Sequence, residues 1–269
     1  MQGRVLIIAG SDSGGGAGIQ ADIKAVTALN GFAMTAITAL TAQNTLGVHA
    51  IHEVPEDFIV RQIEVVLEDL GADVIKLGML HRASVIHAVA DVLERLAPDV
   101  RVVLDPVMVA KGGHALLEPD AMAAMVERLI PKAYLMTPNV PEAEALTGAK
   151  IESVEDLAVA GDKLARLKCG AVLVKGGHLS GDTVTDVLWR GGLRPEVFTS
   201  PRIDSVHTHG TGCTLASAIA CGLAQGLDLS LAVKRARNYV YEAILTAPKY
   251  GHGHGPLNHA HTVGDYTGE

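Results

Sequence analysis

The sequence predicts an α/β fold: a mostly parallel sheet covered by helices on both faces, in a three-layer αβα sandwich. Two observations support this prediction. Short apolar runs of strand length alternate with longer helix-like stretches, which implies right-handed crossovers between parallel strands. Hydrophobic residues make up 48% of the 269 residues and aromatic residues only 3%, so Ala, Val, Leu and Ile must build the core, which suits helices packed on a sheet. We expect one domain over residues 1–269.

The individual elements follow from length and from the residues that bound them. Each strand is a short apolar run between Gly, Pro or polar residues. The predicted strands are 5–9, 35–40, 73–78, 101–105, 133–137 and 171–176, and the predicted helices are 55–70, 82–96, 119–129 and 154–167. After Gly181 the segments DTVTDVLWR and PEVFTS indicate two antiparallel strands, and two closing helices begin near Cys213 and Leu229.

Charge and cysteine content exclude several classes of protein. The net charge is −8, and Lys and Arg do not cluster, so we expect no nucleic-acid partner. The three cysteines, Cys169, Cys213 and Cys221, have no CxxC spacing and an odd count, which argues against a disulfide framework and a thiolate zinc site. The first apolar run is too short for a signal peptide or a membrane span. We therefore expect a soluble cytoplasmic protein with no membrane partner.

Polar clusters follow each of the six predicted strands. In sheets of this kind ligands bind beyond the carboxyl ends of the strands, so these clusters should meet at one rim. They are Gly10-Ser11-Asp12, Gln43-Asn44-Thr45, Met79, Asp105-Pro106, Thr137-Pro138-Asn139 and Lys175-Gly176-Gly177-His178.

The glycine-rich loop AGSDSGGGAGIQAD suggests a nucleotide site, but neither common motif fits it. A Walker A loop needs Lys after its last glycine, and Gly18 is followed by Ile19. The run GAGIQA matches GxGxxA, but no acid follows the next strand to hold a ribose. The loop could be only a tight strand-to-helix turn. We favour close approach of a small ligand to the backbone, with Asp22 offering a carboxylate to an amino-bearing ring; a structural helix surface remains an alternative for Asp22.

The segment HGTGCTLASAIACG places a thiol at the start of a helix made of small residues. The N–H groups of Gly210, Thr211 and Gly212 can turn toward one point, and a helix start adds partial positive charge there. Such an anion hole would stabilise a phosphoryl group in transfer. We expect the helix start to lower the pKa of Cys213 so that the thiol can take the proton of an attacking hydroxyl. The alternative is a helix cap with a buried structural cysteine.

These motifs together resemble one family. GTGC resembles the anion-hole signature of the ribokinase-like small-molecule kinases, most of which carry Asp at the position of Cys213. AGSDSGGGAGIQADIKA, TAQNT, KLGML, LDPVM, TPNVPEAEALTG, VLVKGGH and HGTGCT resemble the hydroxymethylpyrimidine and hydroxymethylpyrimidine-phosphate kinases of thiamine biosynthesis. The resemblance extends to about His261, and cysteine in place of the aspartate marks that branch. It implies a ribokinase-like fold.

The resemblance also implies roles for individual residues. The substrate pyrimidine would contact Gly10, Asp22, Gln43, Met79 and Val107, although Gln43 could be a loop cap and Met79 part of the core. The residues that would organise Mg²⁺ and the ATP phosphates, partly through water, are Asp105, Asn139, Glu142 and Lys175. Asn139 and Glu142 also suit a helix capping box, and both roles can hold together.

Two further segments carry expectations. Residues 110–117, AKGGHALL, match a loop that the family uses as a mobile cover against water, and His114 is given no role. His252, His254, His259 and His261 have a spacing that resembles a metal site, but a flexible glycine-rich end seldom forms one, so we expect no structural metal.

The resulting prediction is a kinase that uses ATP and Mg²⁺ to phosphorylate 4-amino-5-hydroxymethyl-2-methylpyrimidine and then its monophosphate. The catalytic residues would be Cys213, Gly210, Thr211, Gly212 and Lys175. A homodimer is usual in the resembled family. The alternatives are a pyridoxal kinase of the same branch, a nicotinamide-dependent oxidoreductase, and a ligand sensor on the kinase scaffold.

Overall fold

A nine-stranded sheet forms the centre of the molecule, in the order β3-β2-β1-β4-β5-β6-β7-β8-β9. The computed structural model describes residues 2–109, 113, 116–264 and 267–268. The strands are β1 (Arg4–Asp12), β2 (Phe32–Asn44), β3 (Gly47–Glu53), β4 (Val74–Leu77), β5 (Arg101–Leu104), β6 (Leu135–Met136), β7 (Ala171–Lys175), β8 (Thr183–Arg190) and β9 (Glu196–Pro201).

The sheet is mostly parallel, as predicted. Strands β2, β1, β4, β5, β6 and β7 run parallel to one another. Strand β3 pairs antiparallel with β2, and β8 and β9 add an antiparallel edge at the other side. The carboxyl ends of the parallel strands therefore lie along one rim.

Helices cover both faces of this sheet. They are α1 (Gly18–Ala28), α2 (Glu56–Asp69), α3 (Ala83–Leu96), α4 (Ala121–Ala124), α5 (Val140–Thr147), α6 (Val154–Ala165), α7 (Thr211–Ala224) and α8 (Leu229–Leu245). Alternate residues of β1 serve two cores: Leu6 and Ile8 pack with α2, α3 and α6, whereas Val5 and Ile7 pack with α1, α7 and α8. This confirms the three-layer sandwich. Among the described residues, no helix combines the length and apolar composition needed to cross a membrane.

Two elements differ from the prediction. Strand β2 continues to Asn44 and turns back into β3, which the sequence did not predict because most of its residues are exposed and form no apolar run. The predicted helix over 119–129 is only α4 followed by a π-helical turn, Met125–Leu129, and a 3₁₀ turn, Ile130–Lys132. Pro131 in that last turn has no N–H group to continue an α-helix.

Candidate active site

A cavity of about 810 Å³ opens at the carboxyl ends of the parallel strands. Polar clusters predicted from six different strand ends meet there, which confirms the convergence. The predicted site residues that line it are Gly10, Gln43, Met79, Asp105, Val107, Asn139, Glu142, Lys175, Gly210, Thr211, Gly212 and Cys213.

Asp12 organises the glycine loop at one end of this cavity. Its carboxylate accepts N–H groups from Gly14 (2.8 Å), Gly16 (3.1 Å) and Ala17 (2.8 Å). It also lies 2.8 Å from Nε2 of His209. Burial alone would raise the pKa of Asp12, but the bonds from His209 and Ala17 outweigh it and the pKa lies below its ordinary value. Neither Asp12 nor His209 is among the predicted site residues; the signal for Asp12 in the sequence is an aspartate directly before Ser-Gly-Gly-Gly.

The glycine loop and the start of α7 are in direct contact. Gly210 caps α7 with φ +81°, and a β-carbon at Gly210 would collide with the carbonyl oxygen of Gly16. Only glycine satisfies both conditions. A β-carbon on Gly212 would lie 3.3 Å from Nζ of Lys175 and 3.4 Å from Oδ2 of Asp105. The helix start therefore lies beside a lysine, as an anion site requires.

Lys175 and Asp105 form an ion pair of 2.9 Å below the start of α7. Thr137 donates a second bond to Asp105, at 3.0 Å. Burial would raise the pKa of Asp105, but Lys175 and Lys76 outweigh it and hold that pKa below its ordinary value. Burial would lower the pKa of Lys175, but Asp105 and Glu142 raise it. Both groups are therefore charged at neutral pH.

Asn139 and Glu142 form the expected capping box at the start of α5. The N–H of Asn139 donates to Oε2 of Glu142 at 2.8 Å, and the N–H of Glu142 donates to Oδ1 of Asn139 at 2.9 Å. Burial raises the pKa of Glu142 to about 7, with Asp105 adding to the rise and Lys175 opposing it. The oxygens of Asp105, Asn139 and Glu142 are ligands of the kind that Mg²⁺ prefers. Burial leaves the carboxyl group of Glu142 about half protonated at neutral pH, and a nearby cation would stabilise its ionised form. The donor set fits the ion.

Asp22 lies below the cavity and is absent from its lining. Its carboxylate is 2.9 Å from Nζ of Lys76, and Ser217 donates to it at 2.7 Å. The expected contact with a ligand is therefore replaced by a buried ion pair, in which Asp22 neutralises Lys76. Lys76 itself reaches the cavity. The signal for it in the sequence is a lysine inside the apolar run VIKLG.

Cys213 lines the cavity at the start of α7, but its pKa moves the opposite way from the prediction. Burial raises the pKa of this thiol to about 12; the charge of Lys76 opposes the rise, and Asp22 and Asp105 add to it. The expected lowering of this pKa by the helix start is wrong. Desolvation destabilises the thiolate more than the helix start and the charge of Lys76 stabilise it. The thiol of Cys213 is neutral at neutral pH.

The C-terminal histidines belong to an anchored segment and not to a flexible end. His259 is buried, with Nε2 lying 2.9 Å from the hydroxyl of Thr214 on α7, and burial lowers its pKa to about 4. Tyr239 donates to the carbonyl of His259 at 2.8 Å. Most of the expected cover loop, residues 110–112 and 114–115 with His114, lies outside the described residues.

Comparison with known proteins identifies the family. The family model for phosphomethylpyrimidine kinase matches residues 12–258. The chain belongs to this family. It is 53% identical over 259 residues to the thiamine biosynthesis bifunctional protein ThiED of Geobacter sulfurreducens, covering 96% of this chain and 52% of that one. It is 48% identical to the hydroxymethylpyrimidine/phosphomethylpyrimidine kinase of Bacillus subtilis, covering 95% and 94%.

The fold is that of the related kinases of known structure. The pyridoxal kinase of Staphylococcus aureus, in complex with AMP-PCP and pyridoxal, superposes with a TM-score of 0.87 at 34% identity, covering 96% of this chain and 94% of that one. These findings confirm the resemblance drawn from the motifs and the ribokinase-like fold. The chain spans about half of the bifunctional relative and nearly all of the kinase from Bacillus subtilis.

Proposed function

We propose that the chain transfers a phosphoryl group from ATP to 4-amino-5-hydroxymethyl-2-methylpyrimidine, and then a second one to the monophosphate, in thiamine diphosphate biosynthesis. The observation that supports this most directly is the composition of the cavity. The start of α7, Lys175 and Cys213 lie in one cavity with Gly10 and Gln43 of the glycine-loop end and with apolar residues of α8.

The ring would bind at the glycine-loop end. A β-carbon on Gly10 would lie only 3.1 Å from the sulfur of Met79, so glycine leaves a narrow slot between backbone and side chain. Val107 extends the apolar lining, and Gln43 supplies a polar group. An aminopyrimidine has flat apolar faces and a polar edge, which such a slot accommodates.

The nucleotide would bind at the α8 end. The lining of the cavity at this end is apolar, which suits the adenine ring. It is made by Val184, Pro201, Ile203, Val240 and Ile244. Arg202 holds the loop after β7 in place, because its guanidinium donates to the carbonyls of Gly177 (3.0 Å) and Gly181 (2.6 Å). The γ-phosphate would then reach the start of α7 between the two ends.

Transfer forms a bond from the hydroxymethyl oxygen to the γ-phosphorus as the bond to the β,γ-bridging oxygen breaks. The N–H groups of Gly210 and Gly212 and the ammonium of Lys175 stabilise the charge on the equatorial oxygens. The N–H of Thr211, also predicted to contribute, donates to the carbonyl of Thr208 at 3.4 Å. The transition state is loose, so the hydroxyl proton can leave late and pass to the new phosphate group. A neutral Cys213 thiol therefore suffices to hydrogen-bond and orient the hydroxymethyl oxygen, without acting as a base.

Mg²⁺ would be held by Asp105, Asn139 and Glu142, partly through water. The bound ion would neutralise the charge of the β- and γ-phosphates. On the resemblance to the family, the protein would act as a cytoplasmic homodimer. Sedimentation velocity at micromolar concentration tests the dimer, because a sedimentation coefficient for one chain would exclude it.

The experiment that tests the function is a mass-spectrometric assay of the full chain with MgATP and the free pyrimidine. We expect the monophosphate first and the diphosphate later. Lys175→Met should lower both products at least about a hundredfold, whereas the exposed Lys150→Met, the matched control, should leave them unchanged. Absence of both products, or a strong preference for pyridoxal over the pyrimidine, would overturn the proposal in favour of the activity of the Staphylococcus aureus relative.

A further inference from the structure

The histidine- and glycine-rich segment 251–259, GHGHGPLNH, is bonded to the turn between β2 and β3. The N–H of His254 donates to the carbonyl of Thr45 at 2.9 Å. The N–H groups of His252 and Gly253 donate to the hydroxyl of Thr45 at 3.2 and 3.3 Å. A β-carbon on Gly253 would collide with the carbonyl oxygen of Thr45, so glycine permits this close approach. One end of the segment is thereby fixed beside the end of β2.

The same segment is bonded to the start of α7 at two points. The N–H of His209, which directly precedes Gly210, donates to the carbonyl of Gly255 at 3.1 Å. The hydroxyl of Thr214, in the first turn of α7, lies 2.9 Å from Nε2 of His259. All four residues between these two points belong to the predicted catalytic set. The segment therefore holds the proposed phosphoryl site from both sides.

The bond between Thr214 and His259 is shielded from water. The exposed fraction is 0% for Thr214 and 6% for His259. The ring of His259 is neutral at neutral pH, because burial lowers its pKa to about 4, and the carbonyl of Leu257 accepts a hydrogen bond from the ring. Nε2 is then left to accept the hydroxyl proton of Thr214. A buried hydrogen bond of this kind is costly to break, since both partners would be left without water.

We propose that His259, acting through Thr214, and the carbonyl of Gly255, acting through His209, position the N–H groups at the start of α7 for phosphoryl transfer. The inference rests on the proposed function, in which those N–H groups stabilise the transferring group. His259 is absent from the lining of the cavity, so it is a positioning residue and not a catalytic one.

The segment also connects the two sites that the reaction must bring together. Thr45 directly follows β2, whose last residues include Gln43 of the proposed ring site. The bonds of the segment to Thr45 and to the start of α7 therefore fix the distance between the ring and the transferring group. In-line transfer depends steeply on that distance, because a displacement of about 1 Å can lower the rate about a hundredfold.

Steady-state kinetics of the full chain with MgATP and the pyrimidine test the positioning role. In His259→Leu we expect kcat to fall about 10- to 100-fold, with the KM for the pyrimidine within about twofold because the ring contacts are unchanged. His259→Gln keeps an oxygen that can accept the proton of Thr214 and should restore most of kcat. The matched control, Thr262→Val, removes a 2.9 Å bond to the carbonyl of Ala28 on α1 and should change neither constant.

Thr214→Val breaks the same bond from its other side. If the bond carries the effect, the double variant Thr214→Val/His259→Leu should lose no more kcat than the more damaging single variant. Losses that multiply in the double variant would overturn the inference. So would a change confined to KM, or a kcat of His259→Leu equal to that of Thr262→Val. Should His259→Leu fail to fold, Thr214→Val compared with Thr262→Val decides the role.

Amide hydrogen exchange of the chain without substrates tests the anchor separately from the reaction. The N–H of Thr214 donates to the carbonyl of Gly210 at 2.9 Å, so loosening of this turn exposes an amide that is otherwise protected. In His259→Leu, peptides from 208–217 should exchange at least about tenfold faster, and in Thr262→Val at the wild-type rate. Equal exchange in both variants would overturn the inference. If the wild-type chain does not phosphorylate the pyrimidine, the proposed function fails, and this exchange still decides whether the segment holds the start of α7.

Discussion

Alkylation of Cys213 by iodoacetamide measures the ionisation on which its chemical role depends. Burial raises the pKa of this thiol from 9.0 to about 12. At about pH 8 the thiolate fraction then falls from roughly one in ten to one in ten thousand. The nucleophilicity of a thiolate rises with the pKa of its thiol, so the thiolate of pKa about 12 is intrinsically about 15 to 30 times more nucleophilic than one of pKa 9.0. The rate at Cys213 should therefore be about 30 to 60 times lower than for an ordinary thiol.

The pH dependence of that rate is the sharper test, because access to the cavity affects the rate equally at each pH. Labelling followed by mass spectrometry of the Cys213 peptide should show a rate that rises about tenfold per pH unit from about pH 7 to pH 10. Filling the cavity with nucleotide and pyrimidine should slow it. A rate that levels off below about pH 8 would mean that the helix start has lowered the pKa, and the argument from burial would be refuted.

Three other substitutions test the charges around the cavity. Because the thiol is neutral, Cys213→Ser should retain turnover of the pyrimidine within about fivefold, and Cys213→Ala should lose about tenfold, in the mass-spectrometric assay with MgATP. Equal losses above about a hundredfold would show that the thiol acts as the base. Asp22→Asn leaves the charge of Lys76 buried and uncompensated, so the free energy of unfolding in urea should fall by about 3 to 5 kcal/mol. The matched control, Asp162→Asn at an exposed ion pair, should lower it by less than about 1 kcal/mol. Equal effects would contradict the buried ion pair. The folded pKa of Glu142 lies above its ordinary 4.5, at about 7, so the folded state keeps a proton that the unfolded chain loses. Relative to Glu142→Gln, stability should therefore fall by roughly 2 to 3 kcal/mol as pH rises from about 4.5 to about 7; parallel pH profiles would contradict the raised pKa.

The buried strands could be predicted because burial on both faces leaves a direct trace in the sequence. Residues 5–9 form a continuous apolar run, and the structure places alternate members of it in two different cores. Strand β3 leaves no such trace. It lies at an edge with most of its residues exposed, so its sequence, GVHAIHE, carries little apolar periodicity. Its pairing with β2 is set by the turn at 45–46 and by tertiary contacts.

The site could be predicted as a set of strand ends, but the pairing of its charges could not. The sequence shows that Asp105, Glu142 and Lys175 follow strands or begin helices, and the parallel sheet brings those positions together. The pair between Asp22 and Lys76 joins residues 54 positions apart. It depends on how α1 packs on β1, the strand beside β4, which neither segment specifies alone.

The direction of the Cys213 shift shows which physical quantity the sequence leaves out. The sequence shows a glycine-rich helix start. A negative charge at such a position is stabilised by up to about 2 kcal/mol, which would lower the pKa by roughly 1.5 units. The shift from 9.0 to about 12 is twice as large and opposite in sign. Desolvation of the half-buried thiol produces it, and that desolvation arises only when α7 packs against α1 and the sheet.

The balance of buried charge around the cavity bears on how the nucleotide must arrive. Lys76 is matched by Asp22, and Lys175 by Asp105, at 2.9 Å each. Glu142 is the fifth charge, and because its pKa is about 7 it is close to half ionised at neutral pH. These five side chains therefore sum to between zero and −1, and they offer a polyphosphate no net attraction. Attraction can come from the N–H groups at the start of α7, from the guanidinium of Arg202, which lines the cavity, and from a cation carried by the nucleotide. A divalent cation beside Glu142 would also favour its ionised form, so binding of the magnesium nucleotide should release protons when titrated between about pH 6 and pH 7.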